Sequence, residues 1–242
     1  MFKIKNVRTN EELRLTSDQF KEKIIRDTNC KFENTAVLQE RTGLRPESLG
    51  SLIETLSSEL IIQKHVFLVT ALSRINKDKN TRYMILVEGD NYDKRLPSLF
   101  YRNVPIYSVI IEGEENQEGK LSSLSKWFRT NMGRGFSFTD IDYLLIDPTY
   151  NKVALIEEKI GKSGISAIGY GQLISYKELL TDVIINPLFL LFVFSTTNAT
   201  LGTIISYYNC TKNSFIGNSL KDFETKKISL NELSKAIKKV MS

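Results

Sequence analysis

Asp140 and Asp142, then Glu157 and Lys159, are the residues of this 242-residue sequence whose types and spacing could do chemistry. Between the two pairs lies Asp147-Pro148-Thr149-Tyr150-Asn151, a run of turn formers that predicts a β-hairpin with strands over 136–146 and 152–160. Strand alternation puts Glu157 and Lys159 on one face, and Asp140 and Asp142 on a common face of the partner strand. Folding the hairpin brings that acidic face beside Glu157. Converging carboxylates repel unless a cation sits between them, and an oxygen-only set suits a hard divalent ion, Mg²⁺ above all. An ammonium beside the ion positions a water and neutralises charge that develops on a phosphate, a division of labour suited to phosphodiester hydrolysis. The side chain of Glu158, between the other two, faces the opposite way.

Composition closes most other catalytic routes. A single histidine, His65, rules out a His-Glu-x-x-His zinc site. It lies in an apolar stretch with no serine elbow or cysteine signature to serve it, and is expected to be a core or boundary residue. Cys30 and Cys210 lie far apart, form no Cys-x-x-Cys, and read as buried reduced thiols. The formal net charge of +5 and pI near 9.0 mildly favour a polyanionic partner. No secretory signal follows Met1, and the longest apolar run, Leu188 to Phe194, is far short of the ~20 residues that cross a bilayer. These features predict a soluble cytoplasmic protein without a membrane partner.

Asp142, followed by the apolar run Tyr143-Leu144-Leu145-Ile146 and then by Glu157-Glu158-Lys159, resembles the PD-(D/E)xK nuclease superfamily, with its acid on one strand and Glu/Asp-x-Lys on the next. Ile141 stands where the pattern has proline. The resemblance implies a restriction-endonuclease-like fold: α/β, a mixed β-sheet core flanked by helices. It implies that Asp142, Glu157 and the backbone carbonyl of Glu158 bind Mg²⁺, with Mn²⁺ able to substitute. Asp140 would be an additional ligand or a supporting acid, and Lys159 would orient the nucleophilic water. Downstream, Gln172-Leu173-Ile174-Ser175-Tyr176 is similar to the Gln-x-x-x-Tyr element of recombination exonucleases and CRISPR-associated adaptation nucleases, so Gln172 and Tyr176 join the candidate site. Their i, i+4 spacing puts both on one helical face. Those branches often carry an iron–sulfur cluster, which two cysteines cannot ligate. The resemblance covers roughly Leu121 to Tyr208.

The implied activity is DNA hydrolysis, first as a type II restriction-like endonuclease and in the alternative as a recombination or repair nuclease acting on ends, flaps or junctions. A homodimer is the natural way for single sites to cut both strands.

The elements that must position these residues follow from periodicity. Apolar spacing from Asn10 to about Ile62 predicts a mainly helical N-terminal region. Within it, Thr42-Gly43-Leu44 ahead of Pro46 resembles the helix-turn-helix of winged-helix DNA-binding domains, over 35–58, and offers a non-enzymatic reading as a DNA-binding regulator. Two packed helices with an ordinary turn is the other reading. Strands are expected over 66–69, 83–87 and 106–111, and the acidic, glycine-flanked stretch 112–119 marks a boundary between a region 1–111, for target recognition or dimerisation, and a nuclease core 119–242. An amphipathic helix around Leu121, Leu124, Trp127 and Phe128 carries Lys120, Lys126, Arg129 and Arg134. With Lys162, these are the candidate DNA contacts. A helix through Leu180, strands over 188–194 and 203–208, and a helix over 230–240 complete the order.

Overall fold

The computed structural model describes residues 1–28, 48–71, 83–113, 122–132, 136–161 and 164–242. The first half of the chain runs β1 (Phe2–Asn6), β2 (Glu12–Leu15), α1 (Ser17–Asp27), α2 (Gly50–Ser57), β3 (Ile61–Gln63), β4 (Val66–Ala71), β5 (Tyr83–Glu88), β6 (Ile106–Ile111) and α3 (Ser123–Asn131). The second continues β7 (Phe136–Ile141), β8 (Tyr143–Ile146), β9 (Val153–Ile160), α4 (Tyr170–Glu178), β10 (Pro187–Ser195) and β11 (Ile204–Cys210). It closes with β12 (Phe215–Ile216), β13 (Ser219–Leu220), β14 (Lys226–Ser229) and α5 (Leu230–Met241). The architecture is α/β with mixed sheets, and among the described residues no helix is long and apolar enough to cross a membrane.

The chain forms two compact units, Met1–Arg45 with His65–Asp140, and Pro46–Lys64 with Ile141–Ser242. This division differs from the expected break at 112–119. Strand pairing is the reason: β7 lies beside β4 in the first unit's sheet, which keeps 136–140 with the first unit, while β3 pairs with β8 and draws 61–63 into the second.

In the first unit the sheet order is β2-β1-β6-β5-β4-β7. Of the span from Asn10 to about Ile62 expected to be mainly helical, the described residues hold α1 and α2 together with the short strands β2 and β3. Ahead of it, Phe2 and Ile4 alternate with Lys3 and Lys5 and pair antiparallel with β2 and β6, burying the two apolar side chains. Helix α1 begins where Thr16 and Gln19 form a capping box, and Phe20 stacks on Phe2 with ring centroids 4.6 Å apart. Trp127 of α3 packs 4.9 Å from both rings and donates its indole N–H to Ser17 Oγ at 2.8 Å. Lys23, Asp27 and Tyr107 close a half-buried triad, with Lys23 Nζ 2.7 Å from Asp27 Oδ2 and the Tyr107 hydroxyl donating to the same oxygen at 2.9 Å. The expected helix-turn-helix falls largely on residues outside the described ones; its last part, α2, belongs to the second unit.

In the second unit the sheet order is β14-β11-β10-β9-β8-β3. One face is covered by α2 and α5, whose Leu52, Leu56, Leu233 and Ile237 form a core with Tyr143, Leu145, Ala154, Ile156, Leu191 and Val193. Alternation turns Leu155, Glu157 and Lys159 to the other face. There α4 crosses between the parallel strands β9 and β10, with Tyr176 set edge-on to Phe192 at 5.5 Å. The predicted helix through Leu180 is α4 followed by a single π-helical turn over Leu179–Val183.

The β8–β9 hairpin turns on Asp147, as its residue types predict. The buried Asp147 carboxylate accepts from the backbone N–H groups of Thr149, at 3.1 Å, and Lys152, and from the Thr149 hydroxyl. Burial works to raise this carboxyl, but the hydrogen bonds from the Thr149 hydroxyl and from the Lys152, Thr149 and Asn151 backbone outweigh it and hold it below the ordinary value of 3.8. A depressed carboxylate contributes stability that is full above its unfolded value and is lost as pH falls through the folded one. Asp147→Asn is therefore expected to lower the thermal midpoint at pH 6 to 8, with the deficit closing as both proteins are taken towards pH 2 in paired melts.

Candidate functional site

The site is built at the carboxyl end of β9, on the face of the second unit's sheet that carries α4. Val153 to Ile156 are buried because β9 is a central strand, flanked by antiparallel β8 and parallel β10. Where the apolar run ends, Glu157 stays 3% exposed. A buried carboxylate is costly unless it is bonded or paired, and this one is both. Lys159 Nζ lies 2.5 Å from Glu157 Oε1. The Gln172 amide N–H donates to the same oxygen at 3.1 Å, and Lys159 Nζ donates to Gln172 Oε1 at 3.2 Å. The hydroxyl of the fully buried Tyr176 donates to Glu157 Oε2. Gln172 and Tyr176, one helical turn apart on α4, share the helical face their i, i+4 spacing calls for, and that face meets Glu157. Removing the Tyr176 hydroxyl strips a buried carboxylate of a partner, so Tyr176→Phe is expected to cost about 1–3 kcal/mol in denaturant unfolding.

Asp142 reaches the site by a route the sequence reading did not foresee. The expected single strand over 136–146 is broken: β7 ends at Ile141, β8 begins at Tyr143, and Asp142 is the bend between them. β7 belongs to the first unit's sheet, beside β4, and β8 to the second's, beside β9 and β3. Asp140 and Asp142 therefore do not lie on one face of one strand as expected, because a strand that changes sheets does not carry a common face across the break. Asp140 lies half-buried on β7 in the first unit. Extending the β8–β9 register by one step from the pair Tyr143 and Ile156 places Asp142 opposite Glu157, and its Oδ2 accepts the Glu158 backbone N–H at 2.8 Å.

The donor set offered to a cation is therefore two carboxylates, Asp142 and Glu157, set opposite each other across the β8–β9 pair. Among the described residues no group of three or more His, Cys, Asp and Glu side chains gathers as a metal site. The hard-oxygen set fits Mg²⁺, which keeps several waters and is held through one or two carboxylates, and it does not fit zinc.

The Glu158 side chain points to the opposite face, as alternation requires, and ends in a cluster that sequence reasoning missed. Its Oε1 accepts from the Ser48 backbone N–H at 3.2 Å, from the Ser48 hydroxyl, and from Ser195 Oγ at 3.0 Å. No spacing rule links Ser48, Glu158 and Ser195, which come from the approach to α2, from β9 and from the end of β10.

Of the candidate DNA contacts, Lys126 is exposed on α3 and Arg129 half-buried, with its Nε 3.5 Å from Ser125 Oγ; both are in the first unit. Lys120, Arg134 and Lys162 lie outside the described residues. His65 is exposed rather than in the core, at a positive φ of 56°, because it forms the bend between β3 and β4. Cys210 is a buried free thiol, its ionisation pushed up to about 12 by burial, which leaves it a poor nucleophile; Cys30 is outside the described residues. No known family, curated protein or solved structure matches this chain.

Proposed function

We propose that this chain is a Mg²⁺-dependent deoxyribonuclease of the PD-(D/E)xK kind with a restriction-endonuclease-like core, acting inside the cell as a type II restriction-like endonuclease. The observation that carries the reading is the Glu157 carboxylate, buried at the end of a central strand, bonded to Lys159, Gln172 and Tyr176, with Asp142 opposite it across the hairpin. A decorative hairpin on a solvated face has no use for a buried carboxylate bonded to three side chains, two of them on one helix.

In this reading Asp142, Glu157 and the carbonyl of Glu158 hold the ion. Mg²⁺, when bound, supplies Lewis acidity at the scissile phosphate and a water acidified towards hydroxide. Lys159 keeps its ammonium against the carboxylate, where it orients the attacking water and offsets charge on the phosphate. Gln172 fixes both Lys159 and Glu157, because its amide donates to one and accepts from the other. Tyr176 holds the remaining Glu157 oxygen from below. Lys and Arg outnumber Asp and Glu 21 to 16 in the first unit, while they balance at 12 each in the second, so the whole net charge of +5 resides in the first, a charge suited to a polyanionic partner. Lys126 and Arg129 belong to that excess, and a homodimer lets single sites cut both strands.

The contact of both Gln172 and Tyr176 with Glu157 favours a second reading, a recombination or repair nuclease acting on ends, flaps or junctions. Incubation of the purified chain with Mg²⁺ and linear, circular, branched and single-stranded DNA, with RNA alongside, separates the two. Cutting of closed circles supports the endonuclease, and cutting confined to ends or branches supports the second reading. Duplex retarded in a gel with every substrate left uncut would overturn both in favour of a DNA-binding regulator.

A further inference from the structure

The residue between Glu157 and Lys159 carries a second carboxylate that the reaction does not use, and its surroundings are unusual for one. Glu158 projects onto the face of β9 whose neighbours are Ile156 on its own strand, Val193 paired with it on β10, and Leu49 and Leu52 at the start of α2. Glu158 is half-buried, and a carboxylate drawn that far in among such groups keeps its place at least cost when it is hydrogen-bonded. Glu158 is bonded: the Ser48 N–H, the Ser48 hydroxyl and the Ser195 hydroxyl all converge on Oε1. The two hydroxyls also touch each other, and the serines are only 2% and 6% exposed. Three segments are tied at one atom: the approach to α2, the middle of the Glu-x-Lys strand, and the end of the parallel strand beside it. The same residue's backbone N–H holds Asp142 Oδ2 at 2.8 Å, at the point where Asp142 has no strand of its own to fix it.

We propose that Glu158 is a positioning residue: clamped from behind the sheet by Ser48 and Ser195, it fixes the peptide that holds Asp142, and so keeps the Asp142 and Glu157 carboxylates together as one divalent-cation site. The inference rests on the nuclease reading above and deepens it by assigning cation affinity to residues that never touch the cation. Groups that orient a ligand from outside the coordination sphere commonly change metal affinity by 10–100-fold. Packing alone makes a different demand, since a residue that only fills space affects the melting temperature and leaves cation affinity where it was.

The test is calorimetric titration of Mn²⁺ into the full-length protein without DNA, together with cleavage of plasmid DNA as a function of Mg²⁺ concentration. Glu158→Ala and the double variant Ser48→Ala, Ser195→Ala are expected to weaken Mn²⁺ binding by about 10–100-fold. Their half-saturating Mg²⁺ concentration should rise in parallel, with maximal rate at saturating Mg²⁺ largely restored. Glu158→Gln, whose amide oxygen still accepts from both hydroxyls, is expected to recover most of the affinity. If Glu158→Ala fails to fold, the single serine variants carry the test, each removing one donor from the clamp. Variants that fold and bind Mn²⁺ as the parent does, while the parent cuts DNA, would overturn the positioning role and leave the nuclease reading standing. A parent protein that neither binds Mn²⁺ nor cuts any nucleic acid would overturn the nuclease reading, and the clamp's role with it.

Discussion

Lys159→Ala is expected to slow Mg²⁺-dependent DNA cleavage by roughly 10²–10³-fold or more while leaving affinity for uncut duplex close to that of the parent. The ammonium is held at 2.5 Å from Glu157 and 3.2 Å from Gln172, so its charge stands at a defined point beside the carboxylates. A preorganised charge of this kind contributes most in the transition state, when negative charge grows on the phosphate, and little to ground-state binding. Loss of the side chain leaves the buried Glu157 with its Tyr176 and Gln172 bonds, so the fold survives, and a thermal melt on the same sample verifies this. Lys159→Arg should recover little of the rate, because a planar guanidinium cannot replace a compact ammonium wedged between a carboxylate and an amide. Retained turnover in Lys159→Ala would remove this lysine from the site.

The second large effect separates the two aspartates. Asp142→Asn keeps a carbonyl oxygen for the Glu158 N–H and removes only the charge, so it should fold normally and lose Mg²⁺-dependent cleavage by at least about 10²-fold. Asp140→Asn should cut within a few-fold of the parent, since Asp140 is carried on β7 in the first unit's sheet while Asp142 stands opposite Glu157 in the second's register. Initial rates across a Mg²⁺ series for both variants decide it. Equal losses would make Asp140 a ligand in its own right, and a larger loss at Asp140 would reverse the assignment.

Much of this arrangement was legible in the residues. The hairpin followed from Asp147-Pro148-Thr149-Tyr150-Asn151, the face shared by Glu157 and Lys159 from alternation, and the common face of Gln172 and Tyr176 from helical spacing. Each is a local rule, with a period of two or 3.6 residues and a turn fixed by its own side chains. The strands expected over 66–69, 83–87 and 106–111 were legible as β-rich apolar runs bounded by polar turns, and the first two run one or two residues further in the fold. The first strand was not. Five alternating residues at the chain start are too few to stand out from the helical spacing downstream, and what makes Phe2–Asn6 a strand is its pairing with residues 107–111.

By itself, then, the sequence determined which residue types are available for chemistry: with one histidine and two distant cysteines, carboxylates and a lysine stand out, and local periodicity groups Glu157 with Lys159 and Gln172 with Tyr176. Only the tertiary structure decided that the two groups meet, because α4 reaches Glu157 by crossing from β9 to a parallel β10. The tertiary structure likewise decided that the chain changes sheets at Asp142, and that Ser48 and Ser195 close on Glu158. Those are pairings between segments far apart in the chain, set by which strands and helices can bury their apolar faces together, and no short-range rule contains them.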